Sequence, residues 1–274
     1  MKRIDLHTHA KLSKSFPFTT RAVWQFVAQA GRLGLDGVAL VEHFHATDYW
    51  NIHGALRREF PYRDADGVYE GPQGMRLLAG VELSIREGCD LIVLGRVEQI
   101  RALDAGLSEP ATTGYRPSFD EAVAVVHRVG AFVIGAHMFR PGKELWRLGR
   151  RLAVLDALEF NGKDFSADDR VRAAAREYGV PVVAGSDAHF WAQVGIKATL
   201  LPIDEITQAS VTSAIREHRA AAESQSYGPL AVQISAAYKR IAKARRARAE
   251  LAGTYMRPTA SSVVSLSEAA SRVR

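Results

Sequence analysis

Cysteine is almost missing from this 274-residue chain, with Cys89 standing alone. One thiol closes no internal disulfide and builds no cysteine-based zinc site. Long apolar runs are missing as well. None approaches the roughly 20 residues that span a bilayer, so no integral membrane protein and no membrane partner is expected. The opening stretch, from Met1 to Lys14, holds no apolar segment of the kind a secretory leader needs, which makes cytoplasm the expected compartment. Extremes of composition are also lacking. A hydrophobic share of 47% and a charged share of 24% exclude wholesale disorder. A chain of this length can bury a full core without staples, and α/β barrels of about 250 residues run as one domain.

The charge is unevenly spread. The formal net charge is +6, yet residues 239–274 hold nine Lys or Arg against two Asp or Glu. The body is therefore close to neutral, and the basic character belongs to the last stretch. No internal repeat is visible. From residue 2 to about 218, short apolar runs alternate with amphipathic stretches, which predicts βα units and a mostly parallel sheet or barrel. Strands are expected at Arg3–Leu6, Gly37–Val41, Leu77–Val81, Leu91–Val97, Ala131–Gly135, Val154–Phe160, Val180–Ala184 and Ala198–Leu201. Helices are expected from Thr20 to Leu33, from a capping box at Ser118 to Val129, near 143–152, from a Ser166 cap to Tyr178 and near 205–218. Residues 46–75 read as helix plus irregular loop. The barrel is expected to occupy residues 1–222. Residues 223–274 read as a basic helical extension, from Pro229 to about Leu251, with a poorly ordered tail.

The chemistry gathers where strands end. The Ile4–Leu6 strand runs into His7-Thr8-His9, Val38–Val41 into Glu42-His43, Phe132–Gly135 into Ala136-His137, and Val180–Ala184 into Gly185-Ser186-Asp187-Ala188-His189. Leu77–Val81 ends in Glu82. In a parallel barrel all strand C-termini lie on one face, so five imidazoles and two carboxylates are expected to converge there. Residues i and i+2 of a strand point the same way, which lets His7 and His9 reach one centre, and likewise Asp187 and His189. Imidazole and carboxylate donors without thiolate suit Zn²⁺, Mn²⁺ or Fe²⁺. Seven donors exceed the needs of one ion, so two to three divalent metal ions are expected, with Glu82 as a bridge. Each pattern alone reads as a turn, cap or packing residue; the set does not. His127 and His218 read as surface or helix-end residues, and His45 as a spare ligand or substrate contact.

The ordered set Asp5-Leu-His7-Thr-His9, Glu42-His43, Gly80-Val-Glu82-Leu, Gly135-Ala-His137 and Gly185-Ser-Asp187-Ala-His189 resembles the PHP (polymerase and histidinol phosphatase) superfamily of metal-dependent phosphoesterases. Phe139-Arg140-Pro141 and Leu158-Glu159-Phe160-Asn161 are similar to the same family. The resemblance implies a distorted (β/α)7 TIM-like barrel, with a first metal on His7, His9, Glu82 and Asp187, a second on Glu82 and His137, and a third on His43 and His189. It implies a metal-dependent phosphoric ester hydrolase in which metal-activated water attacks a small phosphorylated substrate, a phosphomonoester or phosphodiester of sugar, nucleotide or histidinol-phosphate type. Glu82, Asp187 and Arg140 would form the catalytic set, with Arg140 clamping phosphate because a guanidinium matches its oxygens bidentately. Glu42 would hydrogen-bond a ligand imidazole, and Asn161 and Lys163 would line the pocket.

The sequence departs from the family at several points, one being Glu42, where relatives usually carry Asp before the equivalent of His43. Lys11-Leu-Ser13-Lys14-Ser15 offers no strong ligand where many relatives have one for the third metal, and Leu91-Ile92-Val93 lacks a histidine that many relatives carry. Two further readings stay open. An amidohydrolase-like metal-dependent hydrolase also opens with His-x-His, although it often uses a carboxylated lysine where this chain has Glu82. A degenerate PHP protein would bind a metal or nucleotide without turnover. The basic run Lys239, Arg240, Lys243, Arg245, Arg246 and Arg248 usually means a solvated face, but it also suits a nucleic-acid backbone. Trp50, Tyr62, Tyr69 and Tyr115 are candidates to stack on a base or sugar.

Overall fold

Apolar runs buried on both faces set the architecture. Strand β1 (Lys2–Thr8) is followed by helix α1 (Thr20–Arg32), whose Val23, Phe26, Val27 and Ala30 recur at helical spacing and turn inward. The Thr19 hydroxyl caps α1 by accepting from the Ala22 N–H. Then come β2 (Gly37–Leu40), α2 (Tyr49–Glu59), β3 (Tyr62–Arg63), β4 (Val68–Glu70), β5 (Arg76–Ser84) and β6 (Asp90–Leu94). Helix α3 (Val97–Gly106), α4 (Phe119–Arg128), β7 (Phe132–Gly135), β8 (Ala157–Asn161), α5 (Asp168–Tyr178) and β9 (Val182–Gly185) continue the chain. β10 (Lys197–Leu201), α6 (Gln208–Arg216), β11 (Ala221–Ser224) and α7 (Gly228–Leu251) complete it. This computed structural model describes residues 1–13, 16–46 and 49–251, so the expected loose tail, Lys14 and Ser15 lie outside the described residues. The chain divides into two units between Ala236 and Ala237. No helix among the described residues is long and apolar enough to cross a membrane.

The sheet runs in the order β11-β10-β1-β2-β5-β6-β7-β8-β9, and it is a nearly closed barrel with helices against it. Closure happens beyond the strand ends. Thr8 pairs in parallel with Ala188, the His9 N–H donates to the Ala188 carbonyl at 2.8 Å, and the Ala188 N–H donates to the His7 carbonyl at 3.3 Å. Gly185 permits this approach, because a Cβ there would collide with the Cβ of His7 and come within 2.8 Å of its backbone nitrogen. A register shift between Asp5 and Thr8 bulges β1 where the His-x-His pair sits.

The expectation of a mostly parallel sheet needs one correction that matters for the site. β1–β2, β2–β5, β7–β8 and β8–β9 are parallel, but β6 is antiparallel to both β5 and β7. Only Ile85–Cys89 separates β5 from β6, and that turn is far too short for a crossover helix. β6 therefore begins at the rim where its neighbours end, and Ser84 faces Asp90 across the pair.

Other boundaries moved for local reasons. The strand expected over Leu91–Val97 stops at Leu94, and α3 starts where the Arg96 N–H donates to Gln99 Oε1. The helix expected near 143–152 is 3₁₀ over Leu145–Val154 and kinks at Gly149, φ 56°, which delays β8 to Ala157. Ser166 does not cap α5: it sits in a 3₁₀ turn, and its hydroxyl donates to Asp164. The region 46–75 contains the β3–β4 hairpin, which extends the sheet through β5. Tyr69 belongs to the core, and Trp50, Tyr62 and Tyr115 are partly buried against it rather than standing in an open loop.

Candidate metal centre

His7 and His9 sit at the bulged end of β1 and are fully buried. Their Nε2 atoms lie 3.1 Å apart. Two imidazole lone pairs cannot face each other at that distance unless a proton or a cation lies between them. Glu82 comes up from β5 and spans the centre. Its Oε2 lies 3.4 Å from His9 Nε2, 3.9 Å from His7 Nε2 and 2.8 Å from His43 Nδ1, while its Oε1 accepts from His137 Nε2 at 3.0 Å. Asp187 Oδ1 approaches from the opposite side, 3.3 Å from His9 Nε2, 3.8 Å from His7 Nε2 and 3.4 Å from His189 Nδ1.

Three donor groups result: His7, His9 and Glu82; His9, His43 and His189; Glu82, Asp90 and His137. Buried polar atoms normally have partners, yet Glu82 Oε2 and the Nδ1 atoms of His9, His43 and His137 make no hydrogen bond. Imidazoles and carboxylates that converge on shared centres, in a site that also leaves buried polar atoms unpaired, fit divalent cations. His137 and Asp187 adopt positive φ, 31° and 54°. For Asp187 this corrects the i, i+2 argument: β9 has ended at Gly185, and a left-handed turn rather than strand pleating aims the carboxylate.

A surrounding layer orients these groups. Glu159 of β8 accepts from His7 Nδ1 at 2.7 Å and, through its other oxygen, from the His137 N–H at 2.9 Å and the Asn161 amide at 3.0 Å. That bond places the His7 proton on Nδ1 and leaves Nε2 for the centre. Asp5 is fully buried and accepts the backbone N–H groups of His7, Ser186 and Gly195, tying β1 to the turn after β9. Burial pushes its carboxyl up to about 6. Glu42 accepts the His43 N–H and stands 3.6 Å from His9 Nδ1, too far for the expected hydrogen bond.

Three cations stand at the same place. Arg140 Nη2 donates to Asp187 Oδ2 and to Asn161 Oδ1, both at 2.7 Å. Lys163 Nζ lies 2.6 Å from Asp187 Oδ1 and 3.2 Å from His189 Nδ1, and Lys143 Nζ lies 2.8 Å from Asp90 Oδ2. Burial opposes the charged form of Asp187, but Lys163, His7 and Arg140 hold its carboxyl well below the usual range. Burial opposes charge on His7 as well, and Glu159 and Asp187 outweigh it, so this imidazole is raised well above its ordinary value. His189 goes the other way: burial, then His9 and Lys163, press it well below.

A family model described as PHP-associated matches residues 166–220, the stretch that holds Asp187 and His189. Among solved structures the chain is similar to PsfC from Pseudomonas syringae, at 25% identity and a TM-score of 0.72, covering 88% of this chain and 98% of that one. It shares its fold with the lesion-specific endonuclease Q of Pyrococcus furiosus, at 19% identity and a TM-score of 0.64, covering 79% of this chain and 56% of the endonuclease. A two-domain protein of Bacteroides vulgatus, described as containing a predicted PHP-like metal-dependent phosphoesterase, aligns at 16% identity and a TM-score of 0.55, over 82% of this chain and 65% of that one. The chain therefore shares its fold with PHP-like proteins, and its residues 166–220 match the PHP-associated model. No curated protein matches the sequence.

Within this PHP fold, all seven residues expected as ligands meet at one rim: His7, His9, His43, Glu82, His137, Asp187 and His189. Arg140 is in the site rather than on open surface. His45 contributes to none of the donor groups, and its ring lies 5.8 Å from that of His43. His127 is exposed, 3.7 Å from Asp156, and His218 follows α6 in a left-handed turn. Sequence reasoning missed Asp90 and Lys143 outright and underrated Glu159 and Lys163. A carboxylate inside an apolar run, Leu158-Glu159-Phe160, was the available signal for Glu159; Asp90 gave none, because it opens a strand instead of ending one.

Proposed function

We propose that this PHP-like protein is a metal-dependent phosphoesterase that hydrolyses a phosphomonoester or phosphodiester, with His7, His9, His43, Glu82, His137, Asp187 and His189 as the residues that hold its divalent cations. One observation carries the reading: the two oxygens of a single buried carboxylate, Glu82, face different imidazoles on each side, His43 and His9 on one and His137 on the other. That is the arrangement of a bridging ligand. Bound divalent cations would lower the pKa of water toward neutrality and neutralise charge on phosphate oxygens.

The chain's own groups do the rest. Glu159 fixes the His7 tautomer. Arg140 holds two acceptors in the resting state, Asp187 and Asn161, and its fork can exchange one of them for a phosphate oxygen. Lys163, about a quarter exposed and beside His189, supplies a second cation for the same anion. The mixed acidic and basic character of the rim thus serves two ends, carboxylates and imidazoles for metal, guanidinium and ammonium for substrate.

The test uses purified full-length protein loaded with Mn²⁺ or Zn²⁺ and assayed on p-nitrophenyl phosphate and bis-p-nitrophenyl phosphate. Turnover is expected in the wild type, and a loss of roughly 100-fold or more in His9→Ala, which removes a shared donor. Equal rates in the two proteins would overturn the assignment. Esterase or lactonase turnover without phosphate release would move it to the amidohydrolase-like reading.

A further inference from the structure

The Glu82–His137 side of the centre holds a third donor that the sequence pattern did not indicate. Asp90 opens β6 and, because β6 runs antiparallel, it stands at the rim. Its carboxylate is 2% exposed and already oriented: Oδ1 accepts from the Ser84 hydroxyl at 2.6 Å. Oδ2 is turned toward the centre, 3.7 Å from His137 Nε2 and 2.8 Å from Lys143 Nζ. The Lys143 side chain, by contrast, is 32% exposed and comes in on the turn after β7. One partner is fixed by burial and a hydrogen bond; the other reaches in from solvent on a flexible stem.

We infer that Asp90 is the third protein ligand of a divalent cation held together with Glu82 and His137, and that Lys143 is the resting counter-ion of that carboxylate, displaced when the cation binds. The inference rests on the metal reading given above and extends it to residues that reading does not use. Charge supports it. Glu82 and Asp90 place two carboxylates around one imidazole in a buried site, and Lys143 offsets only one of them. Arg140 and Lys163 are committed to Asp187. A divalent cation supplies the remaining charge at the point where both carboxylates and His137 Nε2 converge. The donor set also has a chemical bias. Two carboxylates with one imidazole suit Mn²⁺ better than the all-imidazole group of His9, His43 and His189 does. Once released, Lys143 lies three residues beyond Arg140 on the same turn, where it becomes a further cation for an incoming phosphate.

The experiment counts Mn²⁺ bound per full-length chain, from the electron paramagnetic resonance of free Mn²⁺ at equilibrium, in wild type, Asp90→Asn, Asp90→Glu and Lys143→Met. Asp90→Asn should lose one equivalent and keep the others, and Asp90→Glu, which retains a carboxylate, should keep it. Lys143→Met should bind the same equivalent at least about tenfold more tightly, since a competing charge is gone. Wild-type stoichiometry and affinity in Asp90→Asn would overturn the inference while leaving the metal reading intact. If Asp90→Asn fails to fold, unchanged or weaker binding in Lys143→Met overturns it on its own. Absence of Mn²⁺ and Zn²⁺ binding in the wild type would instead bring down the metal reading, and this inference with it.

Discussion

A lone buried histidine and a buried cluster of them in the same barrel behave in opposite ways. His53, on α2, is 4% exposed and both its ring nitrogens have hydroxyl partners, Tyr69 at 2.8 Å and Tyr49 at 3.2 Å. At the rim, His9, His43 and His137 are equally hidden, but each has a ring nitrogen with no hydrogen bond. Burial of an imidazole therefore says little by itself. His53, satisfied on both nitrogens, is packing; imidazoles that converge with shared carboxylates in donor groups make a place for cations. Electrostatics separates His53 from His7, though not from His43 and His189, which burial also presses down. Burial, with Arg101 and Arg57 adding to it, pushes His53 down to about 4, so it stays neutral over the physiological range. At His7, carboxylates outweigh burial and favour charge.

Substitutions at three positions would break or sharpen that contrast. The largest effect is expected at Glu159, which holds His7 and the His137 backbone together. Glu159→Gln should weaken metal affinity by about 10- to 100-fold, as removal of an outer carboxylate partner does elsewhere, measured by calorimetric Zn²⁺ titration. Unchanged affinity would mean that His7 needs no orienting carboxylate. Arg140→Ala should come next, with a fall of about tenfold or more in kcat/KM on a phosphoester and near-normal metal content. Arg140→Lys should not restore it, because a point charge lacks the planar fork. Full activity in Arg140→Ala would assign this guanidinium to holding Asp187 alone.

The smallest effect on the centre is expected at His53, where His53→Phe should leave metal stoichiometry unchanged. Its effect should appear in stability. The folded-state pKa of His53 lies near 4, below its ordinary 6.5, so the unfolded chain binds the extra proton between those values. Wild-type stability is then full above about pH 6.5 and declines as pH falls toward 4, by up to roughly 3 kcal/mol from this group. The difference between wild type and His53→Phe, followed by denaturant titration across that window, should carry this slope. A flat difference would show that His53 ionises freely in the folded protein.

The ligand residues were readable because the five segments carrying them run in the same direction and deliver imidazoles or carboxylates just past an apolar run. Glu82 fits less neatly, since β5 continues to Ser84 and the carboxylate lies within the strand. Asp90 was unreadable for a definite reason. Apolar runs mark where strands are and not which way they point, and a strand reversed by the Ile85–Cys89 turn puts its first residue where its neighbours put their last. Arg140 and Lys163 stood in view as basic residues beside prolines and turns. That both close on Asp187 follows only from the turns after β7 and β8 lying next to the one after β9.

From the amino-acid order alone came the alternating α/β plan, the strand-end imidazoles, the family resemblance and the single cysteine that leaves no internal disulfide. These are local properties, set by periodicity and residue type. The tertiary structure alone decided the direction of β6, the left-handed turn that aims Asp187, the Glu159 tether on His7 and the pairing of three cations with two carboxylates at the rim. Each of those joins segments tens of residues or more apart or depends on strand sense, and no pattern along the chain encodes either until the sheet has closed.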